Sequence, residues 1–332
     1  MYSRDTFPDI VIRNNSYKYI DEYIQHLVTW DLEIAQLDSG PYESCELFIS
    51  TGTYEFNFFR HSRQLLVRSY HAAPGFQFGF SLFDELSARS MELRHQDRRP
   101  GIYCQPSGVE ARVLSPPNYE GATLFISYER YQQLLDAYFD SPVDFPSRSD
   151  PSMFVPSAEQ YQSLSACLSR IGHTFCERGA GEPVTFEERA WVSSQIDNTI
   201  IPLLLQVVAN RTGKLVQRRP QRFYNGMTLI LDNLDAPPGI DDLARELGTS
   251  ARNVQYLFQT HLGMSPKHFT KLCRINVARS RLWSASYKRG AITDIAGGLG
   301  YSHMGEFSRE FRRIFQITPR ELVRRYVRVD AE

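Results

Sequence analysis

The chain contains no apolar run approaching the roughly 18–20 residues that a membrane-spanning helix needs. Its five cysteines, at 45, 104, 167, 176 and 273, form neither a CxxC pair nor a regular framework. That spacing excludes a disulfide scaffold or a cysteine-rich zinc site, and with the polar opening MYSRDTFPD it leads us to expect a reduced, cytoplasmic protein with no membrane partner. His61, His71, His95 and His173 show no metal-ligand spacing, so no metal and no cofactor are expected. The front half also lacks a compact nucleophile–base–acid signature. Its scattered Glu, Asp and His residues read as surface or packing groups, and the chain is not expected to be an enzyme.

What is present is length and aromatic content. The 332 residues, 42% hydrophobic and 13% aromatic, suffice for two or three compact units. The net charge of -1 conceals a division: residues 211–332 carry 21 Lys/Arg against 11 Asp/Glu, whereas residues 1–210 carry 16 against 27. The C-terminal part therefore has the sign needed to approach phosphates, and the front part would be repelled by them.

Between about 45 and 126, short strand-like runs (ELFIS, TYEFNFF, LLVRSY, GFQFGFSLF, SMEL, GIYC, EARVL, GATLFIS) alternate with the turn formers TG, APG, RRPG, QPSG and SPPN. This predicts a mainly antiparallel barrel or sandwich. In YEFNFF the two-residue period puts Tyr54, Phe56 and Phe58 on one face and Glu55, Asn57 and Phe59 on the other. Helical patterns follow at SYERYQQLLDAYF and, beyond a Pro/Ser/Asp-rich stretch at 141–157, at AEQYQSLSACLSRIGHTFCE and FEERAWVSSQIDNTIIPLLLQVVANR. Leu164, Cys167, Leu168 and Ile171 form one apolar stripe, which suits either a second subunit or the chain's own core. Pro202 argues against one straight helix across that region. The expected division is 1–140 for a sensing domain, 141–221 for a linker with dimerisation helices, and 222–332 for an all-α domain.

The C-terminal segment holds two similar patterns, IDDLARELGTSARNVQYLFQTHLG at 240–263 and ITDIAGGLGYSHMGEFSREFRRIFQITP at 292–319. In the first, Leu243, Ala244 and Leu247 face inward, Gly248 permits a turn, and Ser250 caps a helix whose Val254, Leu257, Phe258 and Leu262 make a buried stripe. Arg252, Asn253 and Gln255 are left facing outward near its start, where a recognition helix approaches base edges. Arg can read guanine, and Asn or Gln can read adenine. In the second, Phe307, Phe311 and Phe315 form the spine, and Ser308, Arg309, Arg312 and Arg313 fall away from it. Between them SPKHFTKLCRINVARSRLW reads as a long helix with Ser265 as cap and Pro266 in its first turn. Such a helix would hold two readers about one DNA turn apart, roughly 34–36 Å.

The ordered combination DLARELGTSARNVQYLFQTHLGMSP, RINVARSRLW and ITDIAGGLGYSHMGEFSREFRRIFQITPREL, over about 225–325, resembles the AraC/XylS family of bacterial transcription regulators. The resemblance implies DNA-facing positions at Ser250, Ala251, Arg252 and Gln255 in the first reader, and at Gly305, Glu306, Ser308 and Arg309 in the second. Gly305 and Glu306 depart from the family, whose members more often carry a small hydroxylated residue and a His, Arg or aromatic residue there. The front strands resemble the cupin-like effector domain that precedes this DNA module. The implied architecture is α+β: an antiparallel cupin-like β barrel, a helical linker and an all-α double helix-turn-helix domain. The implied function is that of an effector-responsive activator, a homodimer that binds double-stranded promoter DNA and recruits RNA polymerase.

For the effector, Tyr54, Arg63, Arg68, His71 and Phe78 combine aromatic surface with groups able to bind a carboxylate, phosphate or hydroxyl. Arg94 and Arg98 add the Arg-x-x-x-Arg spacing used by some cyclic-dinucleotide receptors, but the same spacing recurs at Arg218/Arg222, Arg309/Arg313 and Arg320/Arg324. A small metabolite is the broader expectation. The competing readings are an adaptor that uses the repeated helices for protein contacts, favoured by the Gly305–Glu306 departure and opposed by the basic charge, and a cupin-like metabolic enzyme.

Overall fold

A computed structural model describes residues 11–27, 30–51, 54–82, 101–140, 143, 146–178, 182–209, 221–284 and 290–329. The chain divides into two compact units. One comprises 1–33, 43–62 and 68–217; the other comprises 34–42, 63–67 and 218–332. Among the described residues no helix is long and apolar enough to cross a membrane.

The first unit is built on strands that follow the turn-punctuated runs of the sequence. They are β1 (Val11–Tyr17), β3 (Ser44–Ser50), β4 (Tyr54–His61), β6 (Gly75–Ser81), β7 (Ile102–Pro106), β9 (Tyr119–Ser127) and β10 (Ser152–Phe154), and they form one sheet in the order β1-β3-β4-β9-β6-β7-β10. Each neighbouring pair is antiparallel. The remaining strands, β2 (Trp30–Gln36), β5 (Leu65–His71) and β8 (Ala111–Ser115), form a separate sheet in the order β2-β5-β8.

These sheets overturn the expectation of a closed cupin-like barrel. The end strands β1 and β10 each pair on one side only, with β3 and β7, and among the described residues neither sheet closes on itself. The physical reason lies in what covers the sheet. Register places Leu47 and Ile49, Phe56 and Phe58, Phe76 and Phe78, and Leu124 and Ile126 on one face, all fully buried. The short helix α1 (Ile20–His26) follows β1, and the buried face packs against a layer of later helices: α2 (Tyr128–Tyr138), α3 (Ala158–Cys176), α4 (Phe186–Gln195) and α5 (Ile201–Ala209). Helices thus supply the apolar contact that a barrel's own interior would otherwise provide, and alternation in the strands is the same in either case.

The stripe Leu164, Cys167, Leu168 and Ile171 on α3 is buried in this core. Gly172 lets α3 approach the sheet closely, since a Cβ there would run into the Phe58 ring. Between α4 and α5 the chain makes a π-helical turn, Ile196–Ile200. Pro202 lies immediately beyond it, where its ring and missing N–H disfavour a regular α-helical ladder.

The second unit contains α6 (Gln221–Leu231), α7 (Ile240–Glu246), α8 (Ala251–Leu262), α9 (Pro266–Ser284), α10 (Ala291–Gly298), α11 (Met304–Phe315) and α12 (Pro319–Val329). The two expected helix pairs are α7–α8 and α10–α11. Gly248 and Gly300 supply the left-handed turn residue at the same place in each pair, with φ of 57° and 81°. Ser265 caps α9 by accepting from the His268 N–H at 3.2 Å.

Two short stretches from the front of the chain belong to this second unit. Asn276, buried on α9, accepts the Gln36 backbone N–H and donates to the Gln36 carbonyl, both at 2.8 Å. Arg279, one turn along, donates to the Ile34 carbonyl at 3.1 Å. Backbone groups of residues two apart point the same way in a strand, so one helix face serves the outer edge of β2 as a further strand would. The Gln36 side chain and the Gly40 N–H both donate to the Ile314 carbonyl in the last turn of α11.

Candidate nucleic-acid interface

A helix entering a DNA groove needs one face anchored and the opposite face free. On α8 the anchor is Val254, Phe258 and Leu262, all buried, with Phe258 set edge-on against Phe223 and Phe269. Ser250 caps the helix by accepting the Asn253 N–H at 3.2 Å. The Asn253 amide turns back to donate to Thr249 Oγ1 at 2.8 Å, which engages it in the cap. Arg252 and Gln255 are exposed, whereas Ala251 and Asn253 are half-buried.

On α11 the anchor is the phenylalanine spine, with ring centroids 5.8 Å apart from Phe307 to Phe311 and 4.7 Å from Phe311 to Phe315. Gly305, Glu306, Arg309 and Arg312 are exposed and Ser308 is half-buried. A Cβ on Gly305 would meet nothing within 4 Å, so this face is open there. Glu306 does not stand as a bare negative charge. Lys271 on α9 lies 3.3 Å from its carboxylate and 2.9 Å from that of Glu310, which is buried and also receives the Tyr301 hydroxyl at 3.2 Å. This cluster ties the first two turns of α11 to α9. The carboxylates, Glu310 foremost, hold the Lys271 ammonium above its ordinary range, so the lysine stays charged.

Arg252 and Arg309 have no ion-pair or hydrogen-bond partner among the described residues. Each stands on the outer face of its helix, near its start, with all its donors available. Two residues beside these helix faces escaped the sequence reading. Tyr256 is 65% exposed and lies one turn beyond Arg252; its place off the Val254/Phe258 stripe was the available signal. Lys271 pairs across 35 residues with Glu306, which no local pattern discloses.

The residues expected to meet an effector that lie among the described residues each have partners of their own. Tyr54 and Phe78 lie on the helix-covered face, where the Tyr54 hydroxyl donates to Asp197 at 2.8 Å and Phe78 stacks on Tyr131. His71 is on β5, its ring 3.9 Å from that of Phe125 and its Nε2 3.8 Å from Glu55. The void it lines is about 10 Å³, room for roughly one water and too small for an organic ligand. Arg68 pairs with Glu33 and Glu110, each at 2.7 Å, and Arg63 pairs with Asp38 at 3.7 Å. Arg94 and Arg98 lie outside the described residues. Among the described residues no group of three or more His, Cys, Asp and Glu is placed to hold a metal ion.

Residues 243–325 match the family model described as a helix-turn-helix domain. Over 100 residues the chain is 34% identical to the "Probable thc operon regulatory protein" of Rhodococcus erythropolis, covering 29% of this chain and 30% of that one. Over 123 residues it is 25% identical to the "XylDLEGF operon transcriptional activator 1" of Pseudomonas putida, covering 37% of each. The match thus spans about a third of the length of these curated relatives, which are regulatory proteins rather than enzymes. Among solved structures, a transcriptional regulator from Chromobacterium violaceum, described as AraC-type DNA-binding domain-containing, is 31% identical; the likeness covers 32% of this chain and 93% of that one, with a TM-score of 0.30.

Proposed function

We propose that residues 243–325, which match a helix-turn-helix domain, form a DNA reader of the AraC/XylS type and that the protein is a sequence-specific DNA-binding transcriptional regulator. In this reading α8 and α11 enter successive major-groove segments of promoter DNA. The observation that carries it is the pair of equivalent helices, each anchored by a buried stripe and each presenting an arginine, Arg252 or Arg309, with no partner among the described residues. Arg252, Gln255 and Tyr256 form the first reading face. Ser308, Arg309 and Arg312 form the second, with Gly305 giving the backbone room to approach. Ser250, Ala251 and Asn253 set the start of α8, and Lys271 offsets the charge of Glu306.

The reading extends to an activator that acts as a homodimer, responds to a small-molecule effector through residues 1–140, and recruits RNA polymerase. Residues 141–221 connect the two functions and contribute to the subunit contact. The acidic front and basic rear support this division of labour.

Footprinting tests the proposal. If Arg252 reads a guanine, Arg252→Ala costs about 1–3 kcal/mol of discrimination at one part of the site. If it holds only phosphate, affinity falls alike on all sequences. Arg309→Ala gives the same comparison for the other half-site, expected about 10 base pairs away. Unchanged specific footprints in both variants, folded by circular dichroism, reject the reading roles. Binding that shows no preference for any promoter sequence over unrelated competitor DNA supports an adaptor instead.

A further inference from the structure

The outer face of the β1–β3–β4 end of the large sheet carries a cavity of about 210 Å³. Its walls include Arg13, Asn15, Phe48, Ser50 and Glu55, and Glu46 is among the groups that line it. Strand alternation explains the set. Register pairs Arg13 with Phe48, Asn15 with Glu46 and Ser50 with Glu55, so all of them project from the face opposite the helix-covered core.

The polar groups here are unevenly matched. Glu46 is only 2% exposed. One of its oxygens receives the Tyr17 hydroxyl at 3.2 Å, whereas Oε1 is buried with no hydrogen-bond donor. Glu55 Oε2, on the same sheet face, is also a buried acceptor without a hydrogen-bond donor, with His71 Nε2 3.8 Å away. Arg13 is no ion-pair partner of Glu46; its guanidinium lies 5.9 Å over the Phe48 ring, on an exposed residue. Among the described residues no cation lies within ion-pair distance of Glu46, His26 and Arg13 being exposed groups at the rim of the cavity, and a buried acceptor without a donor calls for a ligand that brings one. An anion would meet Glu46 and Glu55 with like charge. A neutral alcohol would supply one donor and no charge.

We infer that this cavity binds a small primary ammonium compound, with its –NH₃⁺ group on Glu46 Oε1 and its hydrocarbon part along Phe48. The inference deepens the reading of an effector-responsive regulator by naming the ligand class and its place. Ligand binding and DNA reading are scored by separate measurements, so failure of one is distinguishable from failure of the other.

Thermal unfolding of the full chain at pH 8 and fixed ionic strength tests it, with n-butylammonium as probe and 1-butanol and butyrate as neutral and anionic controls. A ligand that binds only the folded state raises the midpoint in a saturable way. The expected result is a saturable rise with n-butylammonium alone. Glu46→Gln weakens the apparent affinity by roughly tenfold or more, as loss of a charge-assisted hydrogen bond requires. Ser50→Phe, which plugs the cavity and leaves the carboxylate in place, abolishes the rise, and Arg309→Ala retains it. No response of the wild-type protein to n-butylammonium overturns the inference, as does an equal response in folded Glu46→Gln. Should Glu46→Gln fail to fold, Ser50→Phe decides, and an undiminished response there overturns the site.

Discussion

Glu46 loses its proton at about pH 7 rather than near 4.5, because burial penalises the carboxylate more than its partners Asn57, Tyr17, His26 and Arg13 favour it. In the unfolded chain the same group ionises near 4.5. Between those values the folded protein keeps a proton that the unfolded chain has released, so stability declines as pH rises across the window. Above it the accumulated loss is about 3 kcal/mol. Glu46→Gln removes that dependence: denaturant titrations should find the variant about 2–3 kcal/mol more stable than wild type near pH 8, with the two converging near pH 5. A constant difference across the range would show that Glu46 does not titrate in this way. His61 illustrates the opposite effect of burial on a base. Its pKa falls to about 4, so it remains neutral beside Ser115, 2.8 Å away.

At the level of elements, α3 and the large sheet depend on one missing side chain. A methyl group at position 172 would penetrate the Phe58 ring, which is itself fully buried and has little room to move. Gly172→Ala should therefore destabilise the folded protein by about 1–3 kcal/mol despite its better helix propensity. Urea unfolding measures this; an unchanged or raised midpoint would mean that the contact yields. The helices of the second unit were legible residue by residue, because Ser250, Ser265, Gly248 and Gly300 act within one or two turns of where they stand. The strands were legible too, including the alternation that sets Tyr54, Phe56 and Phe58 apart from Glu55 and Asn57. Closure was not legible: alternation reports that a face is buried and is silent on whether helices or another stretch of sheet bury it. The same holds for Lys271 with Glu306 and for Asn276 with Gln36, whose partners are distant in the chain.

For the whole molecule, charge is segregated along the chain, and its two ends respond differently to salt. The basic residues of 211–332 predict DNA binding whose log affinity falls linearly with log salt concentration, by about 0.9 for each phosphate contacted. If Arg309 is a phosphate contact, Arg309→Ala should reduce that slope by about 1; a base-reading Arg309 would instead alter sequence preference. Filter binding over a salt series on specific and unrelated duplexes separates the two, and salt-independent binding would remove the electrostatic basis of the proposal. The grip of α9 on β2 has a consequence in time. Gln36 is polymerised 240 residues before Asn276. At about 5–20 residues per second, that is an interval of roughly 12–50 s. Through that interval the outer edge of β2 lacks the helix that will cover it, so the nascent chain carries an edge open to other strands until α9 has been translated.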